Sequence, residues 1–284
     1  MAIKTILFGT GKAAENFIDN NTKEREYLVA VDNDKLKHGQ TFFDLDIVSV
    51  DKIKDFNYDE IVVASFFGLE IKHQLLKLGV AKNKIYLPQK HLLKSGIKYP
   101  FEDESTLKTA REFTKLIASK AYSQNLPLHI EWGTLIGVLR DGDLIRWDDD
   151  VDFSSVLPYK QKIEKFIYNI KNDIELKLKC ELKILLTDTK VKLTIISLDK
   201  SFHNFDADID FKIIKNNEAI QSSNQIWYTP SHHIEKLETF LWDDIKIFIP
   251  SDVDNYLKFV YGDWKTPKKD HSLDDYNNYK TEVQ

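Results

Sequence analysis

The sequence predicts an α/β unit built on a parallel sheet, followed by an α+β unit whose sheet carries paired acids. Three observations predict it. Ile3 to Phe8 is an apolar run that stops at Gly9-Thr10-Gly11 and gives way to a polar helical stretch. Ile61-Val62-Val63-Ala64 is a run rich in β-branched residues, of the kind buried on both faces of a parallel sheet. Downstream, Asp150-Val151-Asp152-Phe153 alternates acid with apolar residue, the period of a strand with one face on a core.

In the first unit, the Gly9-Thr10-Gly11 turn continues as a Gly-x-Gly-x-x-Ala pattern into the helix. A second strand, Tyr27 to Val31, ends at Asp32, about 20 positions after the glycines, the spacing of a dinucleotide-binding turn. Gly9, Gly11 and Asp32 are therefore a candidate nucleotide site, with a phosphate at the helix N-terminus. The alternative is that the glycines serve only strand–helix packing. One mononucleotide-binding half is present, which argues against hydride chemistry. After Ile61–Ala64 a helix runs through Ile71, Leu75, Leu76 and Leu78, capped by Gly79, and Ile85-Tyr86-Leu87 is a short strand before Pro88. Lys90 to Glu104, with Gly96 and Pro100, has no period and reads as a connector. Ser105 is expected to cap a helix whose apolar residues are Leu107, Ala110, Phe113, Ile117 and Ala121. The domains are drawn as 1–94 and 95–284.

Across 284 residues, 42% are hydrophobic and 30% charged, ordinary for a globular chain with ample core. A net charge of −5 argues against a nucleic-acid partner, because neutralising phosphates needs a basic surface. A lone Cys180 excludes an internal disulfide framework and suits a reducing compartment. The apolar run at the start is too short for a secretory segment, and no stretch is long and apolar enough to span a bilayer. The expectation is a cytoplasmic protein, with peripheral association at the inner face of a membrane left open.

The second unit concentrates its chemistry between Glu131 and Val156. Leu128 to Glu131 is a strand entering a helix opened by Gly133-Thr134, whose free backbone N–H groups suit an anion. Arg140 ends that helix, placed to pair with a phosphate or with the acids, or to form a purely structural salt bridge. The acids follow as Asp148, Asp149, Asp150 and Asp152. Alternation puts Asp150 and Asp152 on one face, where their mutual repulsion is relieved by a cation, and all-oxygen ligands suit Mg²⁺ or Mn²⁺. Pro158 starts a helix with Ile163, Phe166, Ile167 and Ile170 on one face, and strands are expected at Leu182 to Leu186 and Val191 to Leu198. Phe205-Asp206-Ala207-Asp208-Ile209-Asp210-Phe211 repeats the acid/apolar alternation, and Ile245 to Pro250 is a last strand before a helix.

The string GTLIGVLRDGDLIRWDDDVDF closely resembles the signature of the LicD family, which includes bacterial phosphocholine transferases and fukutin-type ribitol-phosphate transferases. The resemblance extends over about residues 105–275, through Tyr261-Gly262-Asp263 and the later His271. It implies a nucleotidyltransferase-like fold related to polymerase β, in which Asp150 and Asp152 are catalytic metal ligands. Such folds need a third carboxylate from a neighbouring strand. The family's Val-Asp-Ile-Phe strand aligns with Ile209-Asp210-Phe211, so Asp210 is that ligand and Asp208 the reserve. Gly133, Thr134, Arg140, Trp147, Asp148 and Asp208 become substrate contacts. The chain departs from the family at Val156-Leu157-Pro158-Tyr159, where an Arg commonly follows the Asp strand. The first unit resembles the short Rossmann-like domain that begins many sugar-modifying proteins, through Asp32-Asn33-Asp34 and Gly39.

What this implies is Mg²⁺- or Mn²⁺-dependent transfer of a phospho-alcohol, phosphocholine or a polyol phosphate, from a CDP-activated donor. The acceptor would be a glycan of a cell-surface polysaccharide such as lipopolysaccharide, capsule or teichoic acid. Two alternatives use the same residues differently: NMP transfer from an NTP, and a non-catalytic nucleotide-sugar-binding scaffold. Trp132, Trp147, Trp227, Tyr261 and Trp264 would suit a cation–π cage for a choline headgroup, with core packing the competing use of the same rings.

Overall fold

The computed structural model describes residues 2–21, 23–96, 99–223, 225–269 and 272–280. They form two compact units, Met1–Lys98 with Lys268–Asp275, and Tyr99–Pro267 with Tyr276–Gln284. His271 lies outside the described residues.

The first unit is a Rossmann-like α/β sheet. Its strands are β1 (Ile3–Phe8), β2 (Arg25–Val31), β3 (Thr41–Phe42), β4 (Leu45–Val48), β5 (Glu60–Val63) and β6 (Ile85–Tyr86), in the order β3-β4-β2-β1-β5-β6. All pairs are parallel except the β3–β4 hairpin. Helix α1 (Lys12–Asn20) follows β1, and α2 (Gly68–Lys77) follows β5. The hairpin has no signal in the sequence. Its two turn residues, Phe43 and Asp44, both have positive φ (48° and 63°), a conformation usually announced by Asn-Gly or Gly-Gly. Gly9 sits at φ +109°, and a Cβ there would meet the Ala64 carbonyl oxygen at 2.8 Å, so glycine lets β1 leave the sheet beside the end of β5.

In the second unit, α3 (Glu104–Ser123) comes first. Its cap is Asp103, not Ser105: the Asp103 carboxylate accepts from Thr106 N, and Ser105 Oγ donates to the same group from inside the first turn. An aspartate two residues earlier wins because its charge answers the helix dipole as well as the free N–H groups. After β7 (His129–Ile130) and α4 (Trp132–Arg140) come β8 (Asp150–Val156) and α5 (Lys160–Leu178). Strands β9 (Cys180–Leu186), β10 (Lys190–Ser197), β11 (Phe205–Lys215), β12 (Glu218–Gln221) and β13 (Tyr228–Pro230) follow. The chain then runs through α6 (His232–Glu235), β14 (Glu238–Trp242), β15 (Ile245–Ile249) and α7 (Val253–Tyr261).

The mixed sheet runs β13-β12-β11-β8-β7-β15-β14, with β10 paired to the first half of β11 and β9 to β10. Period-two alternation divides its residues. Val151, Phe153, Val191, Leu193, Ile195, Ala207, Ile209 and Phe211 are buried in one core with Leu107, Phe113 and Ile117 of α3 and Ile163, Phe166 and Ile167 of α5. Each fully buried side chain of this size contributes about 1.5–3 kcal/mol. The opposite face of the same strands is left to acids and lysines.

Candidate active site

Strands β8 and β11 are parallel neighbours, about 4.8 Å apart as such strands are. Their register sets Asp206 opposite Asp150, Asp208 opposite Asp152 and Asp210 opposite Ser154. The five acids therefore share one sheet face, and Asp208 is level with Asp152, while Asp210 lies one step further along. Among the described residues, Asp148, Asp149 and Asp150 also each bring a carboxylate oxygen within 4.8 Å of the others.

Helix α4 holds this edge in place. Asp152 N donates to Thr134 Oγ1 at 2.9 Å, and Glu131 N donates to the Asp152 carbonyl at 2.9 Å, so the Asp152 backbone is fixed on both sides. Trp132 opens the helix at φ 48°, a left-handed conformation that costs a bulky residue about 1–3 kcal/mol and turns the chain sharply out of β7. The Gly133-x-x-x-Gly137 spacing has a steric cause. A Cβ on Gly133 would overlap Asp148 Oδ2, and one on Gly137 would meet the Asp143 carbonyl oxygen at 2.5 Å and Ile145 N at 2.9 Å. The space over Gly133, where the sequence leads one to expect a phosphate, seats the Asp148 carboxylate. The turn beyond α4 is tied down by Arg111, bidentate on Asp143, and by Trp242 Nε1, which donates to the Gly142 carbonyl at 3.0 Å.

Gly133→Ala and Gly137→Ala should separate these two roles. Alanine at 133 suits a helix better by about 1 kcal/mol, yet it must push Asp148 aside. It is expected to lower kcat/KM by about tenfold to a hundredfold at an unchanged Tm. Alanine at 137 meets backbone and should cost about 1–3 kcal/mol of stability. Thermal melts beside steady-state kinetics check both; equal rates for Gly133→Ala and the parent would contradict a part for the Asp148 position in turnover.

Lysines of β10 face the acids. Asp206 is answered by Lys192 Nζ at 2.9 Å and Thr194 Oγ1 at 2.8 Å. Lys190 Nζ donates to Asp208 Oδ2 at 2.8 Å and lies 3.7 Å from Asp210 Oδ1. Asp210, 7% exposed, accepts from Gln221 Nε2 through Oδ2, while its buried Oδ1 and the buried Oδ1 of Asp208 have no hydrogen-bond partner. Burial pushes the Asp210 carboxyl up, with the Asp208 charge adding to it and Lys190 opposing. Burial alone would lower the Lys190 ammonium, but Asp210, Asp208 and Asp152 outweigh it and hold it up.

Residues 125–252 match the family described as LicD/FKTN/FKRP, nucleotidyltransferase domain, and residues 1–86 match C2185-like, N-terminal. The second unit is a LicD-type nucleotidyltransferase domain. No curated protein sequence matches the chain. Among solved structures it resembles the lincomycin-bound lincosamide antibiotic adenylyltransferase LnuA, at 14% identity over 49% of this chain and 82% of that one, with a TM-score of 0.30. It also resembles the UDP-D-quinovosamine 4-dehydrogenase from Vibrio fischeri, at 19% identity over 30% of this chain and 75% of that one, with a TM-score of 0.25. An oxidoreductase from Thermotoga maritima matches at 10% identity over 96% and 91% of the two chains, with a TM-score of 0.27.

The remaining sequence-predicted residues of the LicD-type domain fall as follows. Arg140, at the far end of α4, is bidentate on its neighbour Asp141 through Nε and Nη2 at 2.9 and 2.7 Å. Trp147 is half-buried just before the acids. Of the rings considered for a cage, Trp132 and Trp227 pack edge-to-face with Tyr276, on which Tyr261 also lies. Trp264 instead donates to Asp254 at 3.3 Å, with Lys265 over its ring. In the first unit, both oxygens of Asp32 are engaged: Oδ2 by Lys37 Nζ at 2.8 Å and by Thr10, Oδ1 by Asp34 N at 2.9 Å. A ribose at Asp32 would therefore have to displace Lys37.

Sequence reasoning missed the buried cluster around Glu131. Glu131, 1% exposed, accepts from Lys212 Nζ at 2.8 Å and from the Tyr256 hydroxyl, and His129 Nε2 lies 3.0 Å away. Burial by itself would raise the Glu131 carboxyl, but Lys212 and His129 overcome it and hold it down to about 2, while burial lowers His129. Both folded values lie below the ordinary ones, so both groups contribute stability that is present above the unfolded-chain values and lost as pH falls. His129 begins to lose it below 6.5, and Glu131 loses it between 4.5 and about 2. Urea unfolding at a series of pH values should show the second unit weakening steadily from about pH 6.5 downward; a flat profile to about pH 3 would contradict the network. The signal for Lys190 was available in the Lys-x-Lys period of β10, read against the acids of its antiparallel partner. For Glu131 there was none.

Proposed function

We propose that the LicD-type domain transfers a phospho-alcohol, phosphocholine or a polyol phosphate, from a CDP-activated donor to a glycan hydroxyl. The observation that carries this reading is the sharing of one sheet face by Asp150 and Asp152 on β8 and Asp208 and Asp210 on β11, with Asp208 level with Asp152 and Asp210 one step further along, beside the glycine-opened start of α4. A divalent cation fits these residues. The donors are all oxygens, and Asp208 Oδ1 and Asp210 Oδ1 are buried acceptors with no donor. Asp150, Asp152 and Asp208 would hold Mg²⁺ or Mn²⁺, the register favouring Asp208 over Asp210 for the place level with Asp152. Bound there, such an ion neutralises charge on the donor diphosphate and on the departing CMP.

The chain's own residues do the rest by position and charge. Thr134 and Glu131 fix the Asp152 backbone, so its carboxylate presents one orientation to the donor. The N-terminal turn of α4 directs backbone N–H groups at the donor phosphates. The acceptor oxygen bonds to the phosphorus of the alcohol phosphate as the bond from that phosphorus to the CMP oxygen breaks. The hydroxyl proton passes to Asp210, a buried carboxylate one step along the same face from Asp208; burial pushes the Asp210 carboxyl up.

A thermal-shift screen of CDP-choline, CDP-ribitol, CDP-glycerol and nucleoside triphosphates, with and without Mg²⁺, tests this, followed by assay of the released product. The expected result is Mg²⁺-dependent stabilisation by one CDP-alcohol and release of CMP. Stabilisation by a triphosphate with release of pyrophosphate would instead assign NMP transfer.

A further inference from the structure

A carboxylate that bridges two cations offers one oxygen to each, and two-metal sites that transfer phosphoryl groups are built around such bridges. Asp208 has half of that arrangement filled. Its Oδ2 is 2.8 Å from the Lys190 ammonium, and its Oδ1 is buried with no partner. Lys190 is half-buried, with two acids in reach. Its Nζ reaches between Asp208 and Asp210, lying 3.7 Å from the unpartnered Oδ1 of an aspartate that is only 7% exposed. Asp206, the next acid on the strand, has its own lysine and threonine and does not compete for this ammonium.

We propose that the Lys190 ammonium takes the place of a second divalent ion, so that the site loads one metal and uses a fixed positive charge for the inner position. This rests on the metal reading above and adds its stoichiometry. Geometry and charge support it together. The β10–β11 register sets Lys190 opposite Asp210, so the long side chain reaches back along the acid face to Asp208. Lysine there supplies a single charge that needs no loading from solution and cannot dissociate with product. It also leaves Asp208 Oδ1 as the oxygen offered to the one exchangeable ion, and it moderates the charge on Asp210 without making that residue a metal ligand.

The test counts Mn²⁺ bound per chain by electron paramagnetic resonance during titration of the full-length protein with the metal alone. Asp152→Asn serves as the control that identifies the site being counted. The wild-type chain is expected to bind one Mn²⁺ that Asp152→Asn loses. Lys190→Ala and the stem-preserving Lys190→Met are expected to bind a second ion at the same acids, and the first roughly tenfold more tightly because a neighbouring positive charge is gone. Lys190→Arg keeps the charge and should stay at one. Two ions in the wild-type chain would overturn the proposal whatever the variants do, as would a folded Lys190→Met that still binds one ion with unchanged affinity. No ion in the wild-type chain is a different failure, since it removes the metal reading itself.

Discussion

Asp152→Asn is expected to lower transfer by about 10³-fold or more, equivalent to about 4 kcal/mol of transition-state stabilisation, while the protein melts at or slightly above the parent temperature. The two halves of that expectation have separate causes. The backbone of Asp152 is held by Thr134 and Glu131, and the core beneath it is made by Val151 and Phe153, all contacts that asparagine retains. Its charge, however, sits level with Asp208 and on the same face as Asp150. Removing one of several like charges relieves repulsion in the folded state, and the same change removes a ligand. Asparagine keeps the shape and loses only the charge. Kinetics with the CDP-alcohol selected by the binding screen, set beside a thermal melt, gives both numbers. Turnover within about tenfold of the parent would contradict the role given to this residue.

Lys212→Met should do the reverse, acting on the fold far more than a surface change would. Lys212 and Glu131 are 4% and 1% exposed, and the pair joins β11 to the start of α4, with Tyr256 of α7 on the second carboxylate oxygen. Methionine fills the space of the lysine stem but leaves Glu131 charged and buried without its cation, a change that costs about 3–5 kcal/mol. Adding Glu131→Gln should recover much of the loss, because the orphaned charge is the source of most of the penalty. Urea unfolding of the single and double variants measures this. A loss below about 1 kcal/mol for Lys212→Met would mean that the pair is dispensable.

Local periodicity made the elements that present the acids legible. Alternation alone puts Asp150 with Asp152 and Asp206 with Asp208 and Asp210, because each strand has one face on a strongly apolar core. The glycine at 133 was also visible, although part of its reason was not: the Asp148 carboxylate that occupies the space of its missing side chain comes from fifteen residues downstream. Register between strands is non-local, so nothing in either segment said that Asp208 rather than Asp210 would stand opposite Asp152. Glu131 was hidden for a related reason. A lone acid beside a Gly-Thr turn reads as exposed, and its cation and hydroxyl partners lie 81 and 125 residues away. The β3–β4 hairpin was missed because Phe43 and Asp44 stand where glycine or asparagine would have announced the turn. The substitution of Asp103 for Ser105 as the cap of α3 is a two-residue slip, decided by a charge that periodicity does not weigh.

The most direct measurement is anomalous scattering from a crystal of the protein grown or soaked with Mn²⁺. A peak between β8 and β11, with oxygens of Asp150 or Asp152 on one side and Asp208 Oδ1 on the other, is the predicted result. Manganese found only at acids elsewhere on the surface, with those carboxylates bare at saturating metal, would contradict a metal-dependent transferase site at this face of the sheet.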